Sequence, residues 1–175
     1  MARNIEIKAQ VDSLAQIARR AGAIADRGPF EIRQEDTFFS CPNGRLKLRK
    51  LSEHAGDLIF YRRADGTGPK TSHYLISRTS EPDQLALLLA SALGSTGRVI
   101  KHRVLYLAGR TRIHLDRVEG LGDFIELEVV LTDGESQDAG IREAELLMDQ
   151  LGIVPQQLIA GAYFDLIKNA NTIGE

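Results

Sequence analysis

The sequence predicts an α+β fold in which an eight-stranded antiparallel β-barrel has helices packed outside it. The first observation is that charged and aliphatic residues alternate in Glu6-Ile7-Lys8, Arg45-Leu46-Lys47-Leu48-Arg49 and Glu126-Leu127-Glu128, with the period of a β-strand. The second is that tight turns join several strand segments, which favours antiparallel neighbours. The third is that helical segments are few, so βαβ units do not account for the chain. Eight antiparallel strands are enough to close a barrel.

Strand signals recur along most of the chain, and turn-forming residues separate them. Pro42-Asn43-Gly44 and Gly120-Leu121-Gly122 are examples of these turns. The predicted strands span residues 3–11, 30–40, 44–52, 57–64, 70–78, 97–108, 110–118 and 122–132.

Three amphipathic helices interrupt the strands, each with an aliphatic stripe at helical spacing. They are predicted at residues 12–21, 81–93 and 136–151. Each ends at a glycine, namely Gly22, Gly94 and Gly152. A short final helix is predicted after Pro155. The apolar stripes require cover, which the aliphatic face of the sheet would supply.

The alternation gives the sheet one charged face and one aliphatic face. Lys101 and Arg103 share a face, and so do Arg112, His114 and Asp116. If the helices cover the aliphatic face, the charged face lines the inside of the barrel. The alternative is a half-exposed sheet whose charged face meets water, the commoner arrangement for any single strand.

An inward charged face requires compensation, because burying charges costs on the order of several kcal/mol per ion. A polyanion together with a divalent metal would compensate both signs of charge. Arginine and lysine hold phosphate oxygens, while carboxylates hold a hard cation. The pattern therefore indicates a site for such a ligand if the charged face points inward.

Composition restricts the partners and the compartment. The formal net charge is −2, so no whole-molecule field draws the protein to nucleic acid or to an anionic membrane. No apolar run of about 18 residues predicts a membrane span. Cys41 is the only cysteine, and the chain opens on a charged strand rather than an apolar signal sequence. We expect a cytoplasmic protein with one domain over residues 1–175.

A set of short motifs, in order along nearly the whole chain, resembles the CYTH proteins, or triphosphate tunnel metalloenzymes. The motifs are Asn4–Lys8, Asp36-Thr37-Phe38-Phe39, Gly44–Arg49, Tyr61-Arg62-Arg63, Gly68-Pro69-Lys70, Lys101-His102-Arg103, Thr111–Asp116 and Glu119–Glu128. Each motif alone is a weak signal, and their common order and spacing make a strong one. The resemblance implies an eight-stranded antiparallel tunnel that binds a triphosphate and a divalent metal.

The resemblance also implies which residues form the site. The implied triphosphate-binding residues are Lys8, Arg45, Lys47, Arg49, Arg62, Lys70, Lys101, Arg103 and Arg112. Catalytic roles are implied for Lys8, Arg62, Lys70 and Arg112. The implied ligands of Mg²⁺ or Mn²⁺ are Glu6, Asp116, Glu126 and Glu128. Asn4 stands where the family's opening Glu-x-Glu-x-Lys motif has its first glutamate, which argues against a second metal more than against the first.

The motif set is most similar to class IV adenylyl cyclases, which form cyclic AMP and pyrophosphate from ATP. Hydrolysis of inorganic triphosphate, thiamine triphosphate or nucleoside triphosphates is the alternative, because both reactions use the same triphosphate clamp. A non-catalytic module that binds triphosphate or polyphosphate is a more remote alternative. His114 is either a general acid–base or a structural hydrogen-bonding residue, and we favour the structural role. Tyr163 either caps the tunnel or packs the last helix. The oligomeric state stays open, a homodimer included.

Overall fold

Eight antiparallel strands form a closed barrel in the computed structural model, which describes the backbone of residues 1–173 and the side chains of residues 1–169. The strands are β1 (Ala2–Gln10), β2 (Arg27–Phe39), β3 (Arg45–Ser52), β4 (Ala55–Arg63), β5 (Lys70–Thr79), β6 (Ser95–Ala108), β7 (Thr111–Val118) and β8 (Gly122–Leu131). Around the barrel they follow the order β1-β5-β4-β3-β2-β6-β7-β8, and β8 pairs again with β1. The predicted fold class is confirmed.

Four helices accompany the barrel: α1 (Leu14–Ile24), α2 (Pro82–Leu93), α3 (Gln137–Leu151) and α4 (Tyr163–Ile173). The first and the last helix differ most from those predicted. The first helix continues past Gly22, and the N–H of Ala25 donates to the carbonyl of Ala21. After Pro155 the chain forms only a short 3₁₀ turn, and the last helix begins at Tyr163. None of the described helices has the length and apolar character needed to cross a membrane.

The aliphatic face of the sheet points outward and forms the main core under α1 and α3. Ile5, Ile7, Ile113, Leu115, Ile125, Leu127 and Val129 are all buried there. Gly140 of α3 allows a close approach, because a Cβ at this position would lie 2.7 Å from Ile5 and from Leu131. The charged face therefore points inward, as the sequence pattern predicts when the helices pack outside.

One end of the barrel is closed by a second apolar cluster. Phe38, Val99, Val118 and Phe124 meet Tyr163 at the start of α4. The rings of Phe38 and Phe164 stack with centroids 5.1 Å apart, and those of Phe124 and Tyr163 meet edge to face at the same distance. This cluster leaves the interior accessible from the opposite end.

Candidate active site

The inward side chains of all eight strands enclose a cavity of about 330 Å³, which we call the tunnel. The predicted site residues whose side chains line it are Glu6, Lys8, Lys47, Arg49, Lys101, Arg103, Arg112, Glu126 and Glu128. Four other predicted residues, Arg45, Arg62, Lys70 and Asp116, do not line it. The strand alternation thus brings most of the predicted site together.

A histidine and two glutamates on neighbouring strands form the group best suited to a cation. His114 of β7 lies opposite Glu126 of β8, and one ligand atom from each of His114, Glu126 and Glu128 lies within 4.8 Å of the others. Nδ1 of His114 is 3.9 Å from Glu126 Oε2 and 3.7 Å from Glu128 Oε1. This nitrogen is buried and has no hydrogen-bond partner, as expected of an atom whose partner would be a metal ion.

The protonation of this group suits cation binding. Burial and the neighbouring Arg103 lower the pKa of His114, which leaves its imidazole neutral at pH 7. Burial opposes ionisation of Glu126, yet Lys8 and Lys101 outweigh it and hold the pKa of this carboxyl well below its usual range. Burial also opposes ionisation of Glu128, but the positive charges around it, Arg112 and Arg103 among them, outweigh burial and lower the pKa of this carboxyl to about 2. The site therefore offers two carboxylates and a neutral nitrogen.

Strand β1 places further side-chain oxygen atoms beside this group. Glu6 lies opposite Glu128 in the β1–β8 register, and its carboxylate pairs with Arg63 at 2.5 Å. Asn4, two residues earlier on the same face, is buried and its Oδ1 has no hydrogen-bond partner. Asn4 Oδ1, like His114 Nδ1, is thus a buried polar atom without a hydrogen-bond partner. As a carboxamide oxygen, it would be a neutral metal ligand.

Cations surround these carboxylates on three sides. Lys8 Nζ is 3.0 Å from Glu126 Oε1, and Arg103 Nη2 is 2.7 Å from Glu126 Oε2. Arg112 Nε donates to Glu128 Oε2 at 2.8 Å. Guanidinium groups carry five N–H donors, so these pairs leave donors free to bind phosphate oxygens.

Asp116 was expected to hold metal, but the structure places it among cations instead. Its side chain is fully buried and accepts hydrogen bonds from Lys101 at 2.8 Å, from Arg103 at 2.6 Å and from the Tyr163 hydroxyl at 3.0 Å. Burial opposes ionisation, yet Lys101 and Arg103 hold the pKa of this carboxyl well below its usual range. Asp116 therefore orients these cations, and its carboxylate lies outside the group that His114, Glu126 and Glu128 form.

Asp36 of β2 has the same role two strands away around the barrel, and no function was predicted for it. It accepts hydrogen bonds from Lys47 at 2.7 Å, from Arg49 at 3.0 Å and from Gln34 at 3.0 Å. The available signal was the spacing of Gln34, Asp36 and Phe38, which places polar residues at period two before an aromatic one. Asp36 and Asp116 thus fix four of the tunnel's cations.

Arg62 was expected to bind triphosphate, but the structure places its neighbour Arg63, and not Arg62, on the inward face of the barrel. Arg62 is exposed on the outer face of β4, where its guanidinium lies 5.8 Å from the Phe60 ring. Arg63 faces inward, donates to Glu6 and to the carbonyl of Gly161, and has a buried Nε without a partner. A shift of one residue along a strand reverses the face, and two adjacent arginines do not show which one is inward.

Lys70 and Arg45 belong to the inward sets of β5 and β3, but their side chains do not line the tunnel. Lys70 Nζ donates to the carbonyl of Gly66 at 2.7 Å, and burial with the charges of Arg63 and Lys8 lowers its pKa to about 8. Arg45 binds two carboxylates, of Asp65 and Asp165, each at 2.8 Å. To bind the triphosphate as predicted, Lys70 and Arg45 would have to exchange these partners for phosphate oxygens.

Tyr163 caps the closed end of the tunnel. Its ring lies 3.7 Å from Lys8 Nζ and 4.8 Å from Lys101 Nζ, both within the range of a cation–π contact. Its hydroxyl binds Asp116. Of the two roles left open for Tyr163, the structure thus supports both, because the residue also packs α4 against the barrel.

A model of the CYTH domain matches residues 2–163 of the chain, and no curated protein is significantly similar to it in sequence. Among solved structures, the PH1012 protein of Pyrococcus horikoshii OT3 has a TM-score of 0.82 at 24% identity, covering 94% of this chain and 99% of that one. A candidate adenylate cyclase from Vibrio parahaemolyticus has a TM-score of 0.75 at 20% identity, with coverages of 94% and 97%. The candidate adenylyl cyclase HpAC1 from Hippeastrum, described as having a dominant triphosphatase activity, has a TM-score of 0.63 at 16% identity, with coverages of 95% and 96%. At these identities the structures show a shared fold.

Proposed function

The chain belongs to the CYTH domain family, and on this premise we propose that it is a divalent-metal-dependent enzyme acting on a triphosphate in the tunnel. The observation that carries the proposal is the pairing of a cation-rich wall with one compact ligand group, His114, Glu126 and Glu128. Phosphoryl and nucleotidyl transfer depend mainly on charge neutralisation and in-line positioning, which such a wall supplies.

The proposed metal ligands are His114, Glu126 and Glu128, with Glu6 and Asn4 beside them. When bound, a divalent cation would neutralise charge on the phosphate oxygens. The unpartnered nitrogen of His114 supports this assignment. An imidazole ligand also favours Mn²⁺ over Mg²⁺, because Mg²⁺ prefers oxygen ligands throughout.

The proposed phosphate ligands are the inward cations around this group. Arg103 and Lys101 approach from β6, Arg49 from β3 and Arg63 from β4. They lie on different strands, so they would hold a triphosphate chain from several sides and restrict its orientation. Their positions are set by buried carboxylates, so the clamp is formed before the substrate enters.

The first candidate reaction is the cyclisation of ATP. The 3′-hydroxyl oxygen attacks the α-phosphorus, the bond from that phosphorus to the bridging oxygen breaks, pyrophosphate leaves and the hydroxyl loses its proton. The nucleophile is tethered in the substrate, so positioning provides much of the rate enhancement. Asn4 supports this candidate, because a neutral residue at this position removes a carboxylate that would help to aim an external water molecule.

Hydrolysis is the second candidate, in which water attacks the γ-phosphorus and orthophosphate is released. It is supported by the dominant triphosphatase activity described for the Hippeastrum protein, which shares the fold. Glu6 also retains a carboxylate beside the proposed metal group, where it could orient water.

Product analysis distinguishes these reactions. The protein would be incubated with ATP, GTP, thiamine triphosphate or inorganic triphosphate, each with Mg²⁺ and with Mn²⁺, and the products separated by chromatography. Cyclic AMP with pyrophosphate supports cyclisation, whereas ADP with orthophosphate and no cyclic AMP supports hydrolysis. Binding without turnover would identify a non-catalytic module, and the absence of both binding and turnover would overturn the proposal.

A further inference from the structure

The inward face of the tunnel changes chemistry at its open end. Two residues beyond Gln34, Arg49, Tyr74 and Arg103, the next inward residues towards this end are aliphatic in every case. These aliphatic residues, which we call the collar, are Ile32, Leu51, Ile76 and Leu105. Residues two apart on a strand are separated by about 7 Å, so the collar lies roughly this distance beyond the polar wall.

Two of the four collar residues are exposed although they are apolar. Leu51 is 52% exposed and Ile76 is 51% exposed, whereas Phe38 and Tyr163 at the closed end are 5% exposed. Phe30, opposite Leu105 in the β2–β6 register, extends the same rim and is 41% exposed. Apolar side chains left in water at the mouth of a charged site indicate a ligand that covers them.

A carboxylate in the same part of the tunnel sets the expected orientation of that ligand. Asp57 of β4 lines the tunnel opposite Arg49 in the β3–β4 register. Its charge repels phosphate, and its oxygens accept hydrogen bonds, so it favours a donor-bearing organic group near the mouth. The phosphates then lie deeper, among Lys8, Arg103 and Arg63.

We propose that the collar selects triphosphates that carry an organic, largely apolar or planar group over inorganic triphosphate, with Leu51 and Ile76 contacting that group. The inference rests on the proposed function and deepens it by naming the substrate class. Inorganic triphosphate has nothing to cover the collar, whereas a nucleoside or thiamine moiety buries its aliphatic side chains and gains hydrophobic binding energy.

The test compares kcat/KM for ATP, for thiamine triphosphate and for inorganic triphosphate in the wild type and in the double variant Leu51→Ser/Ile76→Ser. We expect the wild type to prefer an organic triphosphate. The variant should lower the ratio of kcat/KM for that substrate to kcat/KM for inorganic triphosphate by about 10-fold or more, since small apolar contacts in a pocket discriminate by ~10–200-fold. A ratio removes any general loss of folded protein, because such a loss affects both substrates equally.

Leu87→Ser is the matched control, because Leu87 is a leucine of α2 that is 70% exposed and lies outside the tunnel. A wild type that prefers inorganic triphosphate, or a double variant with an unchanged ratio, would overturn the role of the collar while leaving the proposed function intact. A wild type that neither binds nor cleaves any triphosphate would overturn the proposed function, and the collar inference with it.

Discussion

Two buried aspartates, rather than the glutamates proposed as metal ligands, hold most of the cations of the tunnel wall in place. Asp36 forms ion pairs with Lys47 and Arg49, and Asp116 forms ion pairs with Lys101 and Arg103. Each aspartate would be unstable as an isolated buried charge, and each is compensated by hydrogen bonds from two cations. The cations are thereby oriented before a ligand arrives.

Removing the carboxylate of Asp116 should be strongly destabilising. In Asp116→Asn, Lys101 and Arg103 remain buried without their main partner, and we expect a loss of about 3–5 kcal/mol in the free energy of unfolding. Urea unfolding measures this loss. Asp123→Asn is the matched control, because Asp123 pairs with the exposed Arg117 and should cost about 0–1 kcal/mol. Equal losses in the two variants would contradict the assigned role of Asp116.

The pH dependence of stability should report the charge on Asp36. Burial opposes its ionisation, but Lys47 and Arg49 dominate and hold the pKa of the folded-state carboxyl well below the ordinary 3.8. A lowered folded-state pKa contributes stability that is complete above the unfolded-state pKa and is lost as the pH falls towards the folded-state value.

The wild type should therefore lose stability below about pH 4, and Asp36→Asn should start from a lower stability and lose less over the same range. Thermal unfolding between pH 2 and pH 7 tests this difference. Parallel stability curves for the two proteins would show that Asp36 does not contribute in this way.

Metal binding should depend on the three-residue group. Glu126→Gln/Glu128→Gln should weaken Mn²⁺ binding by more than about 100-fold, because outer-sphere changes alone cost ~10–100-fold. Titration with Mn²⁺ followed by electron paramagnetic resonance measures binding without any turnover, and circular dichroism verifies the fold. Glu119→Gln, in the exposed turn between β7 and β8, should bind Mn²⁺ like the wild type. Unchanged binding in the double variant would assign the metal to other residues.

At the scale of single strands, alternation predicted most of the site, and its failures have identifiable causes. Charged and aliphatic residues alternate over 45–49 of β3 and 126–128 of β8, so the inward positions of Lys47, Arg49, Glu126 and Glu128 were predicted. In β4, Arg62 and Arg63 are adjacent and similar, and only pairing with β5 places Arg63 on the side of Ser72. Asp116 shares the face of His114, but its partners come from β6 and α4, which no single strand reveals.

Strand β4 provides a matched pair of variants, because its adjacent residues Arg62 and Arg63 lie on opposite faces. Arg63→Ala should lower kcat/KM for triphosphates by about 10-fold or more, since a charge-assisted hydrogen bond is worth roughly 1.5–3 kcal/mol. Arg62→Ala changes the adjacent residue on the outer face and should have little effect. Steady-state kinetics with thermal unfolding as a check on folding compares the two. A larger kinetic effect for Arg62→Ala would reverse the assignment of faces.

At the scale of the whole molecule, the barrel has its apolar side outward and its charged side inward. Helices α1 and α3 cover the outer aliphatic face, so the sheet can bury charge inside without exposing its core. This arrangement was predicted because the charged residues of several strands fall on one face of the sheet, and because the helices carry apolar stripes that need cover. It could not predict which cations pair with aspartates and which face the lumen, because that depends on the register between strands distant in sequence.

A crystal structure of the protein with a non-hydrolysable ATP analogue and Mn²⁺ tests the central claim most directly. We expect an anomalous Mn²⁺ peak between His114, Glu126 and Glu128, with the phosphates inside the barrel on Arg103, Arg63 and the neighbouring cations. We also expect the nucleoside at the mouth, against the collar. Nucleotide bound on the outer surface of the barrel, or Mn²⁺ bound away from these three residues, would contradict the account.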